Sequence, residues 1–85
     1  MQREQILLAI NKIFIDELDN PGITLLENTT AKEVKEWDSL THIQLVNAME
    51  KHFKIRFSTA EIMNWKNIGD CCTSVEEKLT TYPAH

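Results

Sequence analysis

Residues 39–53 constrain the fold more than any other stretch. Leu40, Ile43, Val46, Met49 and Phe53 recur at helical spacing, and Leu45 widens their face. Thr41, Gln44, Asn47, Glu50 and Lys51 lie away from it. Two more stretches share the period. Over 2–18, Ile6, Ile10, Ile13, Phe14 and Leu18 form an inward face, with Glu4, Gln5, Asn11, Lys12 and Asp16 opposite. From Asn67 onward, Ile68, Cys71, Val75 and Leu79 do the same, with Asn67 as cap, Asp70 three residues on, and Pro83 as the stop. Ser58 with Glu61 has capping-box spacing and opens a short helix through Trp65. Ile55-Arg56-Phe57 is the only link that reads as extended, and three residues are too few for a sheet. The pattern predicts an all-α fold: a small antiparallel helical bundle of three main helices plus one short helix, with a long first loop.

That loop begins at Asp19-Asn20-Pro21-Gly22, where Pro removes a donor and Gly accepts left-handed dihedrals. Ile23, Leu25, Leu26, Val34 and Trp37 are expected to pin it to the core. Thr30 with Glu33 has capping-box spacing and predicts one helical turn. Ile10, Phe14, Val46, Met49, Phe53, Ile62, Ile68 and Val75 are expected to be buried together. With 85 residues, the chain is expected to be one domain spanning 1–85.

Composition excludes several function classes. No apolar run reaches membrane-spanning length. The polar start Met1-Gln2-Arg3-Glu4 lacks the apolar stretch of a secretion signal, so the expected location is cytoplasmic. Residues 16–38 hold seven acidic side chains against Lys32 and Lys35, whereas residues 39–68 hold four basic against two acidic. No basic stripe suits nucleic acid, and an acidic domain meets enzymes with basic docking surfaces. Adjacent Cys71 and Cys72 point about 100° apart on a helix, which suits neither a disulfide nor a zinc site. They read as small residues partly in the core. An EF-hand is disfavoured because Leu18 stands where Asp16 would need a second ligand.

Ser39 closes the irregular stretch and opens the clearest helix, with Asp38 or Ser39 itself as N-cap. Three chemistries compete for it. A nucleophile needs a base, an orienting group and an oxyanion hole. His42 lies one turn on, but the chain has only Gly22 and Gly69 and no glycine elbow, so no enzyme is expected and His42 reads as a solvated helix residue. A plain N-cap accounts for the tripeptide, since Asp-Ser-Leu arises by chance in about a few per cent of chains this long. Covalent carriage suits an exposed serine beside unpaired backbone N–H groups, where the helix dipole favours a phosphodiester. Asp38 would keep the surroundings acidic for a Mg²⁺-dependent transferase.

The chain resembles the acyl carrier proteins. The resemblance rests on Asp38-Ser39-Leu40 at mid-chain, Leu45 and Val46 after it, Glu50 and Phe53, the link Ile55-Arg56-Phe57, and Asn67-Ile68 opening the last helix. It implies that Ser39 bears 4′-phosphopantetheine, derived from coenzyme A, whose terminal thiol holds acyl groups as thioesters. It implies as partners a phosphopantetheinyl transferase, an acyl-loading ligase or acyltransferase, and an acyl-using synthase or transferase, with no nucleic acid, no membrane span and a monomeric state. Glu36, Asp38, Leu40 and Ile43 are the expected docking residues. Two features depart from carriers of primary fatty-acid synthesis. Trp37 stands where those have a small residue, and Thr41, Gln44, Asn47 and Lys51 occupy a helix face that is acidic there. Glu-Trp-Asp-Ser-Leu looks more like stand-alone carriers of specialised pathways in lipid or polyketide biosynthesis. Peptidyl carriers usually have Gly before the serine. The alternatives are an unmodified helical interaction domain and a carrier of primary fatty-acid synthesis.

Overall fold

The computed structural model describes residues 2–81. Among these residues it is all helical: α1 Arg3–Leu18, a 3-10 turn Ala31–Glu33, α2 Ser39–Phe53, α3 Thr59–Asn64 and α4 Ile68–Thr81. The expected stop at Pro83 lies outside the described residues.

The core forms where the apolar stripes predict it. α1 packs against α2 and α4. Ile6, Ile10 and Phe14 of α1 meet Leu45, Met49 and Phe53 of α2 and Ile68, Cys71, Cys72 and Val75 of α4 in one buried cluster. Six of the eight residues expected to be buried together belong to that cluster, while Val46 is buried outside it. Ile62 is a correction: α3 has only six residues and leaves it half-buried. Of the expected inward face of α2, Leu45, Val46, Met49 and Phe53 are buried. Leu40 and Ile43 are 80% and 61% exposed. A helical stripe says which residues share a face, not whether another element covers each of them. Both cysteines are fully buried rather than partly, and burial raises both thiols above the ordinary range.

α1 ends differently from the expectation. Asp19, not a glycine, takes the left-handed conformation at φ 52°, and no described glycine has positive φ. The Asp19 and Asn20 N–H groups both donate to Ile15 O, and Gly22 N–H donates to Asn20 Oδ1. Lys54 closes α2 in the same way at φ 57°.

The long first loop is fastened at three places. Asn11, read as outward-facing, is half-buried: its Oδ1 accepts from Leu25 N–H at 2.6 Å and its Nδ2 donates to Ile23 O. Ile23, Leu25 and Val34 are buried, whereas Leu26, also expected to be an anchor, is 60% exposed. The free amides at the start of α4 supply the second fastening. Ile68 N–H donates to Thr29 O at 2.9 Å and Gly69 N–H to Glu27 O at 2.6 Å. A Cβ on Gly69 would meet Glu27 O at 3.0 Å, so glycine is what permits this approach. Arg3 adds a third. Its guanidinium donates to Glu27, Glu76, Thr73 Oγ1 and Gly69 O, joining α1, the loop and α4.

The short elements are capped as their spacing predicts. Thr30 with Glu33 frames the 3-10 turn, and Ser58 with Glu61 frames α3. Asp70 N–H donates to Asn67 Oδ1. A Lys78–Glu61 ion pair at 2.9 Å ties α3 to α4. Ile55 buries the extended link, whose Phe57 N–H donates to the Glu50 carboxylate.

Candidate functional site

Ser39 is the first residue of α2 and is exposed. Asp38, extended at φ −126°, is the N-cap. Its Oδ1 accepts from Leu40 N–H at 2.9 Å and Thr41 N–H at 3.0 Å. The amides expected to stand unpaired beside Ser39 are therefore taken by a carboxylate. A second anion at this helix start meets a charge already in place rather than a vacant donor nest.

The Thr41 N–H bond first, then those from Leu40 N–H and the Thr41 hydroxyl, hold the Asp38 carboxyl below the usual carboxylate range. A depressed folded-state value means that the stabilisation is complete above the ordinary value of 3.8 and is lost as pH falls through the lower folded value. The first turn of α2 is expected to stay intact from neutral pH to about 4 and to fray below it. Amide exchange at Leu40 and Thr41 measures this. Protection that stays flat down to pH 2 would show that the carboxylate is not what caps the helix.

All three residues before Ser39 are tied to the helix that follows it. The Thr41 hydroxyl donates to Glu36 O at 2.7 Å and accepts from Asp38 N–H at 2.8 Å. Between them, Trp37 Nε1–H donates to His42 Nδ1 at 3.0 Å. The two rings lie 16° from parallel with centroids 6.0 Å apart. Trp37 meets Phe14 edge-on at 5.1 Å, and His42 meets Trp65 at 6.0 Å. Trp65 in turn contacts Phe57 and donates from Nε1 to Ser74 Oγ at 2.8 Å. A line of rings thus runs from α1 through the loop and α2 to the far side of the bundle.

His42 is therefore not the solvated residue its spacing suggested. It is half-buried, and burial lowers its pKa below the ordinary imidazole range. Its ring serves Trp37 and not Ser39, so no nucleophile–base pair forms. The signal for this pairing was Trp37 and His42 five residues apart across a helix start, legible only once Asp38 is known to be the cap.

The expected docking residues cluster unevenly. Leu40 and Ile43 present large apolar side chains to solvent on the turn that carries Ser39. Exposed Asp38 is occupied by its own helix. Glu36 is half-exposed and accepts from Asn20 Nδ2 at 2.9 Å, which ties the loop's two ends together. Among the described residues no group of three or more His, Cys, Asp or Glu could hold a metal, and no helix is long and apolar enough to cross a membrane.

Comparison with known proteins agrees with this geometry. Residues 9–75 match the family described as phosphopantetheine attachment site. The chain is also similar to the holo acyl carrier protein from Geobacter metallireducens, solved in solution by NMR. The two are 35% identical with a TM-score of 0.85, over 94% of this chain and 95% of that one. No curated protein matches the chain.

Proposed function

Since the chain belongs to the acyl carrier protein family, we propose that Ser39 is the residue that bears its 4′-phosphopantetheine, within a single carrier domain spanning residues 1–85. The observation that carries this reading is an exposed hydroxyl on the first residue of α2, with each of the three preceding residues tied to that helix. A transferase must find the hydroxyl in one place, and a loop fixed to the helix it precedes supplies that. The bound arm supplies a terminal thiol on which acyl groups are held as thioesters. Because Asp38 already takes the Leu40 and Thr41 amides, those two donors would not be available to a phosphate borne on Ser39. The protein is a carrier and not an enzyme, and acyl carrier proteins interact with phosphopantetheinyl transferases and acyl-using enzymes. Intact mass after incubation with a phosphopantetheinyl transferase and coenzyme A tests the attachment.

The reading extends to a monomeric, cytoplasmic carrier of a specialised pathway, loaded by a ligase or acyltransferase and discharged by a synthase or transferase. Trp37 and the neutral face of Thr41, Gln44 and Asn47 support it against a role in primary fatty-acid synthesis. The mass of the acyl group ejected from natively isolated protein decides between them. A ladder of saturated chains differing by two carbons would favour the primary pathway.

Docking is expected to use the loop and the exposed Leu40–Ile43 turn more than the α2 flank. Reversing Glu36 to Lys is expected to slow loading by an acyl-loading enzyme that accepts wild type. The effect should shrink with salt, because exposed charges are screened over about 10 Å at 0.1 M. Gln44→Lys should matter less. Asn20→Ala removes the partner of Glu36 without changing charge and separates loop geometry from electrostatics. A dominant Gln44 effect with a silent Glu36 would place docking on the helix flank instead.

A further inference from the structure

We infer that His42 is a positioning residue for Ser39: as a neutral acceptor for the Trp37 indole it holds the residues before Ser39 against α2, and protonation releases them. The inference rests on Ser39 being the attachment residue.

The geometry specifies the protonation state. Nδ1 accepts the Trp37 Nε1–H at 3.0 Å, so the proton of the neutral ring is on Nε2. An imidazolium carries a hydrogen on both nitrogens. Protonated His42 would face the indole N–H donor to donor, and the bond would be lost rather than weakened. The ring is half-buried and has both indoles as neighbours, Trp37 and Trp65, each with its centroid 6.0 Å away. Trp37 is itself held edge-on by Phe14 of the core. It is the middle residue of the three that precede Ser39, and its neighbours Glu36 and Asp38 are both tied to Thr41. Among the described residues, loss of the indole bond leaves Thr41 as the α2 side chain that still holds that tripeptide, through Glu36 O and Asp38 N–H.

The charged groups of the surrounding elements are committed elsewhere. Before α2, Glu36 accepts from Asn20, and the Asp38 carboxylate accepts from Leu40 and Thr41. In α3, Glu61 pairs with Lys78. At the start of α4, Asp70 accepts from the Lys66 N–H, and the Lys66 side chain is exposed. Burial alone moves the imidazole, downward, so charging it opposes the packed arrangement. The release therefore falls on the acid side of the ordinary value of 6.5.

Two variants separate the acceptor from the ring. His42→Asn places a non-titrating oxygen where Nδ1 stands. His42→Phe keeps an aromatic ring and removes the acceptor. The first readout is the Trp37 indole N–H resonance in ¹⁵N NMR spectra, with its rate of exchange with water, from pH 7.5 to 5. The second is the rate of phosphopantetheine transfer to each form, taken as a ratio to His42→Asn at the same pH so that the transferase's own titration cancels. In wild type the indole signal is expected to shift and exchange faster on acidification. Its transfer ratio should fall about fivefold, the factor that loss of one ordinary hydrogen bond produces in an equilibrium. His42→Asn should keep its indole signal throughout. His42→Phe should show at pH 7.5 the displaced indole signal towards which wild type moves on acidification. An indole resonance unmoved down to pH 5, or a shifted resonance with a flat transfer ratio, overturns the inference. Modification of Ser39→Ala at neutral pH would instead overturn the assignment of Ser39, and the indole titration reads out independently of it.

Discussion

Wild-type protein supplied with a phosphopantetheinyl transferase, Mg²⁺ and coenzyme A should gain the mass of one phosphopantetheine, and Ser39→Ala should gain none. The effect is expected to be all-or-none because the proposed bond to the arm would be a phosphodiester to the serine oxygen, and alanine has no atom to replace it. Folding offers no competing explanation, since Ser39 is exposed and the cap of α2 belongs to Asp38. The Ala variant should therefore keep the helicity and melting temperature of unmodified wild type. Ser39→Thr is a sharper control. It keeps a hydroxyl but adds a methyl group at the first helical position, so poor modification of Thr with unchanged folding would show that the transferase reads the position of the hydroxyl and not merely its presence. A second phosphopantetheine on wild type, or any on Ser39→Ala, would move attachment to another residue.

Much of this arrangement was legible in the sequence because it depends on local rules. The helices at 39–53 and from 68 onward follow from a 3.6-residue stripe bounded by caps, and each cap depends on residues within four positions of it. The boxes at Thr30–Glu33 and Ser58–Glu61 form for the same reason. What was not legible depends on partners distant in sequence. Asn11 looks like one more polar residue on an outer face, yet it holds Leu25, 14 residues away. Arg3 reaches 73 residues to Glu76. His42 reads as solvated because nothing near it in sequence announces Trp65 as its neighbour. Periodicity put Leu40 and Ile43 on the inward stripe, while the resemblance put them on the docking surface, and their exposure sides with the second. A stripe says which residues share a face, but not which of them another element covers.

Phe14→Ala should cost about 3–5 kcal/mol, the range for emptying a buried aromatic site. That is a large share of the roughly 5–15 kcal/mol that holds a domain folded, and a chain this short has little core to redistribute. Phe14 is fully buried on α1, in the same cluster as Met49 of α2 and Val75 of α4. Its ring also meets Trp37 edge-on at 5.1 Å, which joins it to the loop before α2. The loss should therefore appear twice. Denaturant unfolding should show a lower midpoint with little change in slope, since the surface exposed on unfolding is nearly the same. In a Trp65→Phe background, which leaves Trp37 as the one emitter, its emission should change before the global transition, as the loop loses the surface it rests on. Ile10→Ala is the matched comparison: it is equally buried, but no ring contact joins it to Trp37. It should lower the midpoint while leaving the emission of the folded state near that of the Trp65→Phe parent. If both variants perturbed Trp37 equally, the loop would be responding to the core as a whole. If Phe14→Ala alone does so, one edge-to-face contact carries the stability of the bundle to the residues that set Ser39 in place.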